Sequence, residues 1–292
     1  MKPQLSIIIV NYNTADLTLS CLASINKYLD LSQIEIILVD NKSKDNSIKL
    51  ISEKFPSVKI ISNPENYGFG KANNIGAQKA CGNYLLFLNS DTKFTSNALT
   101  PLLAKADPQT IYGIKLLNAN GSLQPSAGYF PTLRRLVNQM FFIDDLSIFS
   151  LTKYQQTEKS FYQKDHWVDW VTGAFIFIPK QIFNQIHGFD DKIFMYGEEV
   201  DLCYRAKQIG AKVKYLSLPK IYHLKGGSSR NGFERAILGE FKGLVTFYKK
   251  HWPAKLPQLK FILKLGALLR ILVFAIINCD KSKTYFKAYK TI

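Results

Sequence analysis

The sequence predicts an α/β fold: a mainly parallel central sheet flanked by helices, continued at the C-terminus by an amphipathic helix. Short β-branched runs alternate with helix-period segments from residue 5 to residue 88, the rhythm of βαβ units. The runs Ile7-Ile8-Ile9-Val10 and Ile36-Ile37-Leu38-Val39 are continuously apolar, which suits strands covered on both faces. The stretch LKFILKLGALLRILVFAIIN at 259–278 is long, apolar and charged along one side, which predicts the terminal helix.

In chain order, strands are expected at 5–11, 34–40, 58–62 and 84–88, with helices at 15–29, 44–54 and 71–80 between them. Ligands bind beyond the carboxyl ends of strands in such sheets. The polar residues placed there are Asn11, Tyr12 and Asn13, then Asp40 and Asn41, then Asn89, Ser90 and Asp91. From 117 to 167 the periodicity weakens among aromatics, Pro125 and Pro131, and an insertion over the sheet edge is expected. A strand at 170–178, a helix at 200–209, an extended run at 213–218 and a helix at 233–251 follow, with no internal repeat. In 259–278, Lys260, Lys264, Arg270 and Asn278 fall within an arc of about 120° at 100° per residue. Three charges and an uninterrupted apolar run of only 271–277 disfavour a bilayer span. A helix lying in an anionic interface, its lysines snorkelling to headgroups, accounts for both charge and apolarity; a helix packed into the body or an oligomer is the other reading.

Apolar residues make up 47% of the 292 and charged residues 21%, a composition that excludes global disorder. Lys and Arg number 38 against 22 Asp and Glu, and 242–292 alone holds 11 basic residues and one acid. That concentration calls for an acidic partner, either an anionic membrane or nucleic acid. Nucleic acid fits poorly, because the basic residues are mixed with a long apolar helix and not with an aromatic-lined groove. Cys21, Cys81, Cys203 and Cys279 are too scattered for a disulfide framework or a structural zinc site, and a reducing compartment fits them. The opening MKPQLSIIIVNYN turns polar after Val10 and reads as a strand and not as a leader peptide.

Three constellations bear chemistry. Asp91 follows the apolar run YLLFL, where a carboxylate either holds Mg²⁺ or Mn²⁺ beside a substrate phosphate or caps the next helix. Glu198-Glu199-Val200-Asp201 is the densest acidic group; neighbouring carboxylates raise one another's pKa toward that of a general base, and an acidic first helical turn is the alternative. Asp201 and Arg205 are spaced for an i,i+4 ion pair, which makes Asp201 the structural member and Glu199 the better catalyst. His223 precedes Lys225-Gly226-Gly227-Ser228-Ser229-Arg230, a pattern suited to metal and pyrophosphate contacts from a mobile lid, although a lone His is commonly just a packed residue. Gly68-Phe69-Gly70-Lys71 lacks the full phosphate-loop pattern, which disfavours an NTPase.

Six segments taken together resemble the family 2 glycosyltransferases of GT-A fold, and within them the rhamnosyltransferase-like branch. They are SIIIVNYN (6–13), LVDNKSKDNS (38–47), NYGFGKANNIG (66–76), LLFLNSDT (85–92), WVTGAFIFIPK (170–180) and GFDDKIFMYGEEVDLCYRAKQIG (188–210), so the resemblance covers roughly 4–230. It implies a nucleoside-diphosphate sugar donor, an inverting displacement and Mn²⁺ or Mg²⁺. By position, Asn11, Tyr12 and Asp40 would line the nucleoside site, and Asn66, Gly68 and Lys71 would complete the donor pocket together with Asn41 and Ser90. Asp91 matches the metal carboxylate, with His223 as a second ligand. Glu199 matches the base, with Glu198 the lesser candidate; Trp170, Thr172 and Gly173 would shape the sugar and acceptor side, to which Asp201 is also assigned. Two departures stand out: Asn89-Ser90-Asp91 replaces D-x-D, and Glu198-Glu199 replaces Glu-Asp.

The resemblance implies a GT-A domain over 1–240, with a nucleotide-sugar half at 1–110 and an acceptor and catalytic half at 111–240; the charge and apolarity of 241–292 add a membrane-associating tail. The function expected is transfer of a sugar, rhamnose from dTDP-rhamnose first and a UDP-sugar second, to a lipid-linked glycan or cell-surface polysaccharide precursor. Acceptor contacts are expected in 117–167, and the protein is expected in the cytoplasm, peripheral to the inner face of the cell membrane. The alternative is a degenerate GT-A scaffold.

Overall fold

The computed structural model describes residues 3–145, 153–224 and 232–292. Strands β1 (Leu5–Asn11), β2 (Ile34–Asp40), β3 (Lys59–Ser62) and β4 (Tyr84–Asn89) alternate with helices α1 (Ala15–Tyr28), α2 (Ser47–Lys54) and α3 (Gly68–Lys79). These are the predicted βαβ units, with ends within a few residues of expectation. The short β5 (Thr92–Lys93) and α4 (Leu99–Ala104) lead to β6 (Thr110–Leu117). Next come β7 (Leu123–Gln124), β8 (Ala127–Gly128), α5 (Leu133–Met140), β9 (His166–Trp167), β10 (Trp170–Val171), β11 (Phe175–Pro179) and α6 (Lys180–Gln185). The chain ends in α7 (Glu198–Gln208), β12 (Lys212–His223), α8 (Gly232–His251), α9 (Leu256–Ile277) and α10 (Cys279–Lys290).

The sheet order is β3-β2-β1-β4-β11-β6-β12-β5, with β7 beside β6 and β9 beside β12. The first four strands are parallel, and β6 and β12 are parallel to each other. β11 runs antiparallel between β4 and β6, and all five of its residues are buried. Burial on both faces explains why these strands read as continuous apolar runs. One core lies on each side of the sheet: Leu5, Ile7 and Ile9 point into one, Ile8, Ile37 and Val39 into the other.

Three expectations need correction. The strand expected at 170–178 is two, parted by a turn in which Phe175 N–H donates to Thr172 O, so Thr172 and Gly173 leave the sheet. The division at 240/241 falls inside α8, and that at 110/111 inside β6, so neither is a structural boundary. In α9 the expected polar arc does not face outward as a unit. Arg270 is buried and donates to the carbonyls of Gln139 and Met140, while Lys264 is exposed. The Gly/Ser loop at 225–230, read as a lid, lies outside the described residues.

Candidate active site

The chain leaves β1 outward to β2 and β3, then returns to place β4 on the other side of β1. That reversal opens a crevice at the carboxyl ends of β1 and β4. Register aligns the polar residues there: Asn11 faces Asp40, Asp40 faces Ser62, and Val10 faces Asn89. Asn11 is fully buried, donating to Asp40 Oδ1 at 2.7 Å and to Ser43 Oγ at 2.9 Å while accepting from Thr14 and Thr18. Asp40 also accepts from the Ser43 N–H and Oγ at 2.9 and 2.6 Å. Two carboxylate oxygens offer about four lone pairs, so Asp40 keeps capacity for one further donor. Asn11 acts from behind as a brace, while Tyr12 stands 43% exposed at the mouth.

Asn41 joins this end to α3: its amide donates to Asn66 Oδ1 and Gly68 O, and accepts from Asn63. Gly68 holds φ +77°, and a Cβ there would sit 2.4 Å from Phe194 O. Only glycine permits this approach, which lets Phe69 N–H donate to Phe194 O and docks the 188–197 loop onto α3. Asn74 secures the same loop, donating to Phe189 O and Asp191 and accepting from Phe189 N–H. Lys71 Nζ lies 3.9 Å from the Tyr67 ring centroid.

At the end of β4, Ser90 Oγ lies 3.2 Å from Thr14 Oγ1. β12 pairs with β5, setting His223 opposite Thr92, with its Nε2 3.0 Å from Asp91 Oδ1 and 3.2 Å from Asn89 Nδ2. β7 brings Gln124 Oε1 within 2.9 Å of His223 Nδ1. With Nδ1–H donating to Gln124, Nε2 turns its lone pair toward the Asp91 carboxylate. An oriented imidazole beside a carboxylate is suitable chemistry for a metal. Among the described residues no group of three or more His, Cys, Asp and Glu could hold a metal ion. A two-ligand site fits a hard divalent cation that shares its shell with substrate phosphates.

Glu198 and Glu199 open α7 after Gly197, whose φ is +95°. Glu198 is 5% exposed and its Oε2 has no hydrogen-bond partner. Burial first and the adjacent Glu199 second push its carboxyl well above the usual range. Glu199 is half-buried, accepts from Gly197 N–H at 3.2 Å, and is raised by burial. The pair thus divides into a neutral buried acid and an accessible carboxylate that ionises first.

Asp201 is fully buried and cannot touch a substrate, which corrects its assignment to the acceptor side. It pairs with Arg205 Nε at 2.7 Å, Lys250 Nζ at 2.8 Å and His251 Nε2 at 2.7 Å. Against the pull of burial, His251, Arg205 and Lys250 hold its carboxyl at about 2. Trp170 is 5% exposed with its indole N–H on Tyr129 O, so it backs the acceptor side without lining it. Gly173 faces the Phe69 ring. Sequence reasoning missed Gln124, Lys250 and His251, which no local motif marks, and passed over Asn74 although it lies inside the quoted 66–76 motif. Ser43, three residues after Asp40, carried a usable turn signal.

Residues 6–116 match the family model described as Glycosyl transferase family 2. That part of the chain is similar to the family 2 glycosyl transferases. The chain is 27% identical over 253 residues to the rhamnosyltransferase WbbL of Escherichia coli, covering 82% of this chain and 91% of that protein. It is 25% identical over 214 residues to the N-acetylglucosaminyl-diphospho-decaprenol L-rhamnosyltransferase of Mycobacterium tuberculosis, covering 67% and 68%. Among solved structures, TarS 1–349 of S. aureus superposes with a TM-score of 0.55 at 16% identity, over 99% of this chain and 91% of that one. GalNAc-T7 with UDP, GalNAc and Mn²⁺ gives 0.60 at 20% identity, over 88% and 51%. The fold is therefore GT-A, and the proteins similar to this chain include rhamnosyltransferases.

Proposed function

We propose that the protein transfers a sugar from a nucleoside-diphosphate donor to a hydroxyl of a lipid-linked glycan or cell-surface polysaccharide precursor, with inversion. The observation that carries this reading is the convergence at one sheet edge: Asp91 and His223 face each other, and the Gly68–Phe194 contact docks the loop leading to Glu199 beside the donor crevice. Rhamnose from dTDP-rhamnose is the first candidate, in keeping with the two rhamnosyltransferase relatives. UDP-sugars follow.

In this reading Tyr12, Asn66, Lys71 and Ser90 line the donor pocket, over a buried floor of Asp40, Asn41 and Gly68 braced by Asn11. Asp91 and His223 would hold Mn²⁺ or Mg²⁺, which when bound neutralises the diphosphate. The acceptor oxygen attacks the anomeric carbon as the bond from that carbon to the diphosphate oxygen breaks. Its proton passes to the Glu199 carboxylate, and the nucleoside diphosphate leaves with the bonding pair. Glu198, buried and held protonated, backs Glu199 and does not serve as the base, while Thr172 and Gly173, backed by Trp170, shape the sugar side. The GT-A unit runs on through α8, and the basic C-terminal helices packed against it meet an anionic membrane at its inner face.

The test is a panel of nucleotide sugars, each with and without Mn²⁺ or Mg²⁺, followed by thermal shift and nucleoside diphosphate release. A metal-dependent rise with one donor, weakened in Asp91→Asn, supports the reading. Absence of donor binding under every condition would leave the scaffold alternative.

A further inference from the structure

α9 carries an outward apolar face that nothing in the protein covers among the described residues. Phe261, Leu268, Leu272 and Ile276 are 64, 42, 68 and 91% exposed, and Leu265 40%. These five recur at i, i+4, i+7, i+11 and i+15 and share an arc of about 80° at 100° per residue. On the opposite side Leu259, Leu263, Gly266, Ala267 and Arg270 are buried, and α9 packs on α5, α8 and α10. The helix is therefore held firmly by one face while presenting a second apolar face to the outside. That second face runs about 22 Å along the axis, less than the ~30 Å of a bilayer core. Among the described residues no helix is long and apolar enough to cross a membrane.

We infer that this face docks in the headgroup–acyl boundary of an anionic lipid monolayer, with the α9 axis in the membrane plane. Charge complementarity selects the occupant. Lys255, Lys264, Lys283 and Lys290 are exposed on α9, α10 and the turn before them, and the only acid after Glu240 is Asp280. A second copy of the chain would bring this unbalanced positive charge against itself, whereas anionic headgroups neutralise it. The docking helix is also wired to the candidate site. Arg270 ties α9 to the last carbonyls of α5, and Gln139 Nε2 donates to Glu240 on α8 at 2.9 Å. α8 in turn lies against Tyr196 and Gly197, immediately before Glu198. Docking thus sets the base at a fixed height over the monolayer, which suits an acceptor drawn from that same monolayer; this last step rests on the glycosyl-transfer reading.

The test is flotation of the full chain with vesicles of phosphatidylcholine, alone or mixed with phosphatidylglycerol. Wild type is expected to float with the mixed vesicles, and the double variant Leu268→Glu/Leu272→Glu to bind at least about tenfold more weakly. That variant should keep its thermal midpoint and its release of nucleoside diphosphate from donor in solution. Wild type that ignores mixed vesicles, or a variant that binds them equally well, overturns the inference, as does a wild-type dimer that the variant splits into monomers. Loss of nucleotide release in wild type and variant alike would sink the glycosyl-transfer reading while leaving the docking result standing.

Discussion

At the scale of single residues, the Glu198-Glu199 pair separates two properties that are usually confounded. Glu199 is the accessible carboxylate, so Glu199→Gln should lower kcat by about 10²–10⁴-fold while donor affinity holds. Because its carboxyl is raised, the active ionised form disappears as pH falls through a value above the ordinary 4.5, and the acid limb of the rate profile should vanish in that variant. Glu198 behaves oppositely. Its folded carboxyl holds a proton that the unfolded chain has released, so it weakens the fold increasingly as pH rises from 4.5 toward its raised value. Glu198→Gln should therefore stabilise the protein by about 1 kcal/mol at neutral pH, and less in acid, by denaturant titration. Asp201 carries the reverse sign again. Depressed to about 2, it contributes stability that is complete above its unfolded value and lost as pH falls toward 2. Asp201→Asn takes the carboxylate from the largely covered ends of Arg205 and His251, while Lys250 keeps Asp190, an expected cost of about 3 kcal/mol by the same measurement.

At the scale of elements, close approaches decide where the candidate catalytic groups stand. Gly68→Ala would place a Cβ against Phe194 O at a positive φ, pushing the 188–197 loop off α3. A loss of about 2–4 kcal/mol is expected, together with a rise in donor KM, because both Asn41 and Asn66 bond to Gly68. Gly243 plays the matching part on α8, where a Cβ would come within 2.6 Å of Tyr196 O. Arg270 closes the end of α5 from α9. Arg270→Met removes the guanidinium donors from the carbonyls of Met140 and Gln139, the latter keeping only backbone N–H groups, and about 2–4 kcal/mol of destabilisation should appear as a lowered denaturant midpoint.

At the scale of the whole molecule, the C-terminal helices are part of the body. Asp201 takes two of its partners from α8, and Leu259, Leu263 and Ala267 of α9 join the larger core. Ending the chain at 240 should therefore abolish the cooperative unfolding transition, measured by circular dichroism, and not merely release the protein from membranes. The parallel half of the sheet was legible from continuous runs such as Ile36 to Val39, because burial on both faces leaves no alternation to misread. The candidate donor residues Asp40 and Asn41 and the candidate metal carboxylate Asp91 were legible for the same reason: each lies at or just beyond the carboxyl end of such a run. The 117–167 segment was not, since β7, β8 and α5 are too short to express a period, and Gln124 meets His223 from 99 residues away.

The sequence by itself determined the strand–helix rhythm, the polar carboxyl edge and the family resemblance, all of which are encoded in local periods and short motifs. Tertiary structure alone decided which carboxylate is accessible, that Asp201 is a buried clamp, and which face of α9 points outward. A period records that a helix has an apolar side and a charged side. Which side is covered depends on what packs against it, and in α9 the carbonyls at the end of α5 draw Arg270 inward and leave Leu268 and Leu272 outside.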